Sequence, residues 1–204
     1  MSGSYDRKDH LYRKAKAEGY RSRAAFNLKE INSRFHLIRP GARVLDLGAW
    51  PGGWLQVAAE IAGERGRTVG IDLQRIDDPG LPSVCLITGD AREEQNIEQA
   101  LAFAGGSFDV VLSDMSAKLT GIREADEAAA VGCAELALWI AQRVLKQEGG
   151  LVIKVFKSAG IDTFVKNMRP LFNKVTRSEL DSSRKTSNEY YLVAAGFKNQ
   201  RSGR

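Results

Sequence analysis

Apolar residues fall in short runs separated by amphipathic stretches along most of the chain. Runs at 43–47, 68–72, 84–88, 108–112 and 150–156 have the length of single strands and few polar positions. That pattern is expected where both faces of a sheet are covered. Helical periodicity occupies 53–62, 92–104, 125–147 and 160–169, between most of those runs. The alternation predicts an α/β domain with a mainly parallel sheet and helices on both faces. Two further runs, near 172–178 and at 189–197, have no helix between them and predict a closing antiparallel hairpin. Residues 7–35 read as one or two helices divided near Gly19, with Tyr12, Ala15, Ala24, Phe26, Leu28 and Ile31 as candidate buried positions. Arg39-Pro40-Gly41 is the turn that delivers the first strand.

No repeat, low-complexity tract or linker divides the 204 residues. One domain is expected: a basic helical extension over 1–39, a core over 40–197 and a tail at 198–204 that frays. Charge sharpens this outline. The net charge is +5, but 7–39 and 166–204 are rich in Lys and Arg while 40–165 carry more Asp and Glu. Basic flanks around an acidic centre suit a polyanion held at the edges and a cationic ligand held in the middle. Blocks that merely solvate surface helices are the plainer alternative. No apolar signal core or bilayer-length run is present, so no membrane contact is expected. Cys85 and Cys133 lack metal-ligand spacing, which predicts free thiols, no metal and a reducing cytoplasm. A monomer is expected.

The richest stretch is Val44-Leu45-Asp46-Leu47-Gly48-Ala49-Trp50-Pro51-Gly52-Gly53-Trp54, a strand running through a glycine turn into a helix. Such a turn sets backbone N–H groups beside a cofactor at the carboxyl end of a strand. Gly48, Gly52 and Gly53 would let the backbone approach a ligand closely. The turn lacks G-x-G-x-x-G, which argues against a pyrophosphate and a dinucleotide oxidoreductase. Asp46, Asp72, Asp90 and Asp114 stand at the ends of successive strands. Asp72 is placed to grip ribose hydroxyls, and Asp90 to accept from an adenine amine. Any one aspartate could cap a helix, but four beside one glycine turn point to a nucleoside ligand. S-adenosylmethionine fits better than a dinucleotide. Trp54 either covers that ligand or packs its helix on the sheet.

These residues resemble the FtsJ/RlmE family of ribose 2′-O-methyltransferases over nearly the whole chain. The resemblance runs from Tyr20-Arg21-Ser22-Arg23-Ala24-Ala25-Phe26 through the glycine turn with Pro51. It continues in Ser113-Asp114-Met115, Val152-Ile153-Lys154-Val155-Phe156, Ser182-Ser183-Arg184 and Ser187-Asn188-Glu189-Tyr190-Tyr191. It implies a Rossmann-like seven-stranded fold with S-adenosylmethionine as donor. It also implies transfer to a ribose 2′-hydroxyl, typically a uridine of large-subunit ribosomal RNA. A transfer RNA ribose is the alternative substrate, since Lys8-Asp9-His10-Leu11-Tyr12-Arg13 resembles relatives that act on transfer RNA.

Family members use a Lys-Asp-Lys-Glu tetrad, and the resemblance sets Asp114, Lys154 and Glu189 at three of its places. The first lysine falls at Asn27. Lys29 is about 200° further round a helix and points elsewhere. The proline usual after Asp114 is missing from Met115-Ser116-Ala117-Lys118, which would let Lys118 enter the site. Lys154 would take the hydroxyl proton, Asp114 would orient it, and Glu189 would position it from the last strand. Without the first lysine, weaker base character or a more alkaline rate optimum is expected. A catalytically weakened RNA-binding relative is therefore a second alternative. Arg21, Arg23, Arg184 and Lys185 are the candidate contacts to RNA phosphates, and such contacts would be salt-sensitive.

Overall fold

The computed structural model describes residues 3–117, 120–181 and 188–198. Two helices, α1 (Gly3–Ala17) and α2 (Ala24–Phe35), precede the sheet. The alternating core follows as β1 (Arg43–Leu47), α3 (Gly53–Ala62), β2 (Arg67–Asp72), β3 (Val84–Thr88), α4 (Glu94–Ala104) and β4 (Phe108–Ser113). The last part is α5 (Arg123–Val144), β5 (Leu145–Phe156), α6 (Ala159–Met168), β6 (Phe172–Ser178) and β7 (Glu189–Phe197). The seven strands form one sheet in the order β3-β2-β1-β4-β5-β7-β6.

The expected α/β class, mainly parallel with helices on both faces, is the one observed. The hairpin expectation is refined. β7 slots between β5 and β6 and runs antiparallel to both, so β7 alone is reversed and β6 forms the edge. The helix expected over 125–147 stops at Val144, because Leu145 turns extended and pairs with Phe108. The ladder then jumps to Val110 and Gly150, and the intervening residues bulge out through Glu148 at φ 63°. Helical composition continued through Lys146 and Gln147, but a bulged strand took them.

Period-two alternation decides what each face carries. Leu45, Leu47, Val111, Leu151 and Ile153 pack under α4, α5 and α6. Val44, Val110, Leu112, Val152, Tyr191 and Val193 face the other way, with Ala25, Leu28 and Ile31 of α2 and Trp54, Val57 and Ala58 of α3. The same alternation turns Asp46, Asp114 and Lys154 toward α2 and α3. The amino-terminal segment is thus part of the second layer. Asn32 at the end of α2 holds both main-chain groups of Ile38, at 2.8 and 3.2 Å, and so aims the chain into β1. Of the expected buried positions there, Ala15, Leu28 and Ile31 are buried, while Ala24 and Phe26 are half-buried. Tyr12 is 58% exposed, against the expectation.

No described helix is long and apolar enough to cross a membrane. If α2 is held by its apolar stripe, Leu28→Ala removes a side chain that is 1% exposed and opens a cavity. It should cost about 2–5 kcal/mol. Leu81→Ala, at a position 48% exposed, should change stability by about 0.5 kcal/mol or less. Urea denaturation of the two variants checks the contrast.

Candidate active site

The site lies where β1, β2 and β4 end. Asp46 is the penultimate residue of β1 and only 1% exposed. Neither of its carboxylate oxygens accepts a hydrogen bond from any described residue. Burial, then the nearby charges of Asp114 and Asp72, push its carboxyl well above the usual carboxylate range. A folded chain keeps such a group only if something else offsets its cost.

Two clefts open beside it. The larger, about 540 Å³, is lined by Gly48, Trp50, Asp72, Leu73, Asp90 and Asp114, with Cys133 and Leu136 of α5 on its far wall. The smaller, about 230 Å³, is lined by Ser22, Arg23, Asp46, Pro51, Gly53 and Trp54. Gly48, Trp50 and Asp114 line both. Asp72 spends one oxygen on the Trp50 main-chain N–H at 2.9 Å and the other on that of Gln74 at 2.7 Å. Each oxygen still has lone-pair capacity to receive a hydroxyl. Asp90 is more committed. Arg92 donates to both of its oxygens through its side chain, and its main chain adds a further bond of 2.9 Å. These bonds hold the Asp90 carboxyl below its usual range.

The glycines divide their work differently from the sequence expectation. Gly48, at φ 69°, lines both clefts, and a Cβ there would stand 2.4 Å from Met115 Cγ. At Gly53 a Cβ would meet Ser22 Oγ at 2.2 Å, and at Gly52, φ 110°, it would meet Arg21 at 3.0 Å. The room over Gly52 and Gly53 is filled by this chain's own residues 21 and 22. Gly52 lines neither cleft. Trp54 resolves toward packing: it is 3% exposed, donates to the Ala24 carbonyl at 2.8 Å and lies 5.7 Å from the Tyr191 ring. Its edge still borders the smaller cleft.

Asp114 follows β4 and receives Lys154, whose Nζ lies 3.0 Å from Oδ1 and donates to the Asp114 carbonyl at 2.6 Å. Only 12% of the Lys154 side chain is exposed. Burial pushes the Asp114 carboxyl up, Lys154 pulls it back, and the charge of Glu189 pushes it up again. Glu189 opens β7 opposite Phe156 and is half-buried. Tyr191, two residues on and on the same face, pairs with Lys154 and donates to Asp114 Oδ1 at 3.3 Å. Asn27 of α2 in turn donates to the Tyr191 hydroxyl at 2.8 Å. The sequence reading missed Tyr191 as a site residue. The signal was available: a strand that starts on Glu189 returns to the same face at 191.

Lys29 lies 4.3 Å from the Tyr20 ring centroid and 3.8 Å from Glu18, away from this cluster, as its helical phase required. Arg23 reaches the smaller cleft. Arg21 instead donates to the Asp77 carbonyl at 2.6 Å, bracing the loop after β2. Arg184, Lys185 and Lys118 lie outside the described residues. Among the described residues no cluster of His, Cys, Asp and Glu could hold a metal.

The arrangement offers a buried carboxyl with no partner among the described residues, a lysine fixed against a carboxylate, and Arg23 at the smaller cleft. Comparison with known proteins supplies a family for it. A model of the FtsJ-like methyltransferase family matches residues 20–197. A ribosomal RNA large subunit methyltransferase E from Methanothrix thermoacetophila is 45% identical over 188 residues, 92% of this chain and 72% of that protein. The protein of the same name from Marinobacter nauticus is 44% identical over 191 residues, 93% of this chain and 91% of the other. A crystal structure described as a ribosomal RNA methyltransferase from Plasmodium falciparum gives a TM-score of 0.74 at 22% identity, covering 87% of this chain and 98% of that one. Aeropyrum pernix fibrillarin in complex with S-adenosyl-L-methionine gives 0.54 at 15% identity, covering 78% and 68%. The two structural likenesses speak for the fold. The sequence matches go further: the chain belongs to the FtsJ-like methyltransferase family.

Proposed function

We propose that this chain methylates a ribose 2′-hydroxyl of large-subunit ribosomal RNA, with S-adenosylmethionine as donor. The observation that carries the reading is Lys154 held against Asp114, which lines both clefts, next to the unpaired carboxylate of Asp46. The printed names of the relatives support ribosomal over transfer RNA as substrate.

The residues fit the donor. Asp46, buried and unpartnered, is suited to its cationic amino-acid end. Asp72 suits ribose hydroxyls, and the larger cleft, walled by Leu73, Cys133 and Leu136, suits the nucleoside. Bound there, the donor supplies a methyl carbon made electrophilic by its sulfonium.

The chain's own residues do the rest. Lys154 Nζ, as the neutral amine, donates its two N–H groups to Asp114, turns its lone pair to the ribose hydroxyl and takes the proton from it as the oxygen bonds to the methyl carbon. Asp114 holds that amine in place and keeps negative charge at the junction of the clefts. Glu189 adds a second negative charge at the start of β7, which favours the ammonium formed at Lys154 once the proton has been taken. Placement of the hydroxyl supplies much of the rate. Arg23 at the rim holds phosphates without reading sequence, the role the sequence also suggests for Arg184 and Lys185. The setting is the reducing cytoplasm, which the two free cysteines support.

Methyl transfer to ribosomal RNA from cells lacking this protein tests the reading. Lys154→Ala should lower the rate by about 10³-fold while calorimetry finds donor affinity retained. Undiminished transfer by that variant, or transfer to transfer RNA alone, would overturn it.

Asp46 gives a second prediction. Its folded carboxyl titrates above the unfolded one, so between the two the unfolded chain has lost a proton that the folded chain keeps. Stability of the donor-free protein should therefore fall as pH rises through that interval, and Asp46→Asn should abolish the fall. Donor affinity should rise over the same interval, because only ionised Asp46 attracts a cation. Melting curves and calorimetry across a pH series read both, and parallel behaviour of wild type and variant would refute the assignment.

A further inference from the structure

Resting on the catalytic reading above, we propose that Asn27 and Tyr191 are positioning residues: a neutral hydrogen-bond relay from α2 that fixes Asp114 against Lys154. The geometry sets the polarity of every link. The Asn27 amide nitrogen can only donate, so the Tyr191 oxygen accepts at 2.8 Å. The phenol proton is thereby directed to the remaining partner, Asp114 Oδ1, at 3.3 Å. Tyr191 is 0% exposed, so water does not compete for either link.

Oδ1 is also the oxygen that Lys154 touches at 3.0 Å. Tyr191 and Lys154 are direct cross-strand partners on β7 and β5, with side chains on one face. One carboxylate oxygen is thus gripped by donors from two adjacent strands, and α2 sets the direction of one of them. A rotated hydroxyl would withdraw its donor and leave Asp114 free to swing with Lys154 attached. Asn27 stands where the family pattern has a lysine, and here a neutral amide does the orienting without adding charge.

Among the described residues, the titratable and charged groups around Asp114 are Lys154 from β5, Tyr191 and Glu189 from β7 and Asp46 from β1, with Arg23 at the start of α2, Asp72 of β2 and Cys133 of α5 lining the clefts it shares. Burial raises the Asp114 carboxyl, and the Tyr191 bond is among the influences that lower it. Loss of the relay should therefore move its titration upward.

A double-mutant cycle tests the relay. Asn27→Leu and Tyr191→Phe should each lower kcat by about tenfold, with donor affinity and RNA KM within about twofold. The double variant should be no slower than Tyr191→Phe alone, since Asn27 acts only through the hydroxyl. Asn27→Lys, which keeps a donor for Tyr191, should restore kcat. In the donor-free protein, carboxyl-carbon NMR should show Asp114 titrating higher in both single variants. Additive losses, or an Asp114 titration that ignores both substitutions, would overturn the relay while leaving the catalytic reading intact. Full activity of Lys154→Ala would instead remove the catalytic reading itself.

Discussion

Two carboxylates are carried into the same poorly hydrated corner by neighbouring parallel strands, and only one finds a counter-charge. Asp114 has Lys154 and Tyr191; Asp46 has nothing among the described residues. A sheet cannot easily avoid this once the sequence is set. Parallel pairing fixes Asp46 beside Leu112, so Asp114, two residues beyond Leu112, lies diagonally across from Asp46 and, by alternation, on the same face. The charge of Asp114 raises Asp46, and burial raises both. An apolar residue at 46 would suit the fold better. Carboxylate there makes sense as a site held ready for a cation, at a cost to the empty protein.

The second layer is what closes that corner. α2 reaches the sheet through Ala25, Leu28 and Ile31, and Asn27, between the first two anchors, faces the site. From this one element come Arg23 at the cleft, the Ala24 carbonyl that holds Trp54, and Asn27 on Tyr191. The absence of a Cβ at Gly53 lets Ser22 come close enough for all three. A glycine that reads as room for a ligand is, in space, room for the amino-terminal segment. The basic flank thus has two places in the structure: its apolar stripe completes the core, and Arg23 reaches the smaller cleft.

Strands β1, β2 and β4 were legible in the sequence because burial on both faces leaves near-continuous apolar runs. The acids at their ends were legible because a charged residue closing such a run is conspicuous. Other features depended on tertiary choices that spacing does not record. Nothing in 172–197 says that β7 inserts beside β5 rather than closing the edge. The end of α5 was obscured because Lys146 and Gln147 continue a helical composition, and only pairing of Leu145 with Phe108 stops it. Asp90 looked free for a ligand until Arg92, two residues away, turned back onto it. Tyr12 looked like core because aromatic residues usually are, yet it stays exposed on α1.

Charge accounts for why an asparagine is workable at 27. Asp114 is paired with Lys154 while Asp46 accepts no hydrogen bond from any described residue, and a cationic donor answers that unmet carboxyl. A lysine at 27 would add a charge where the amide adds none. A neutral amide leaves that electrostatic demand for the donor and still gives Tyr191 the hydrogen bond that orients it. Orientation and charge are thus separable at this position. The site keeps its geometry through a phenol buried between two strands, and keeps its attraction for cation through carboxylates that the fold alone does not neutralise.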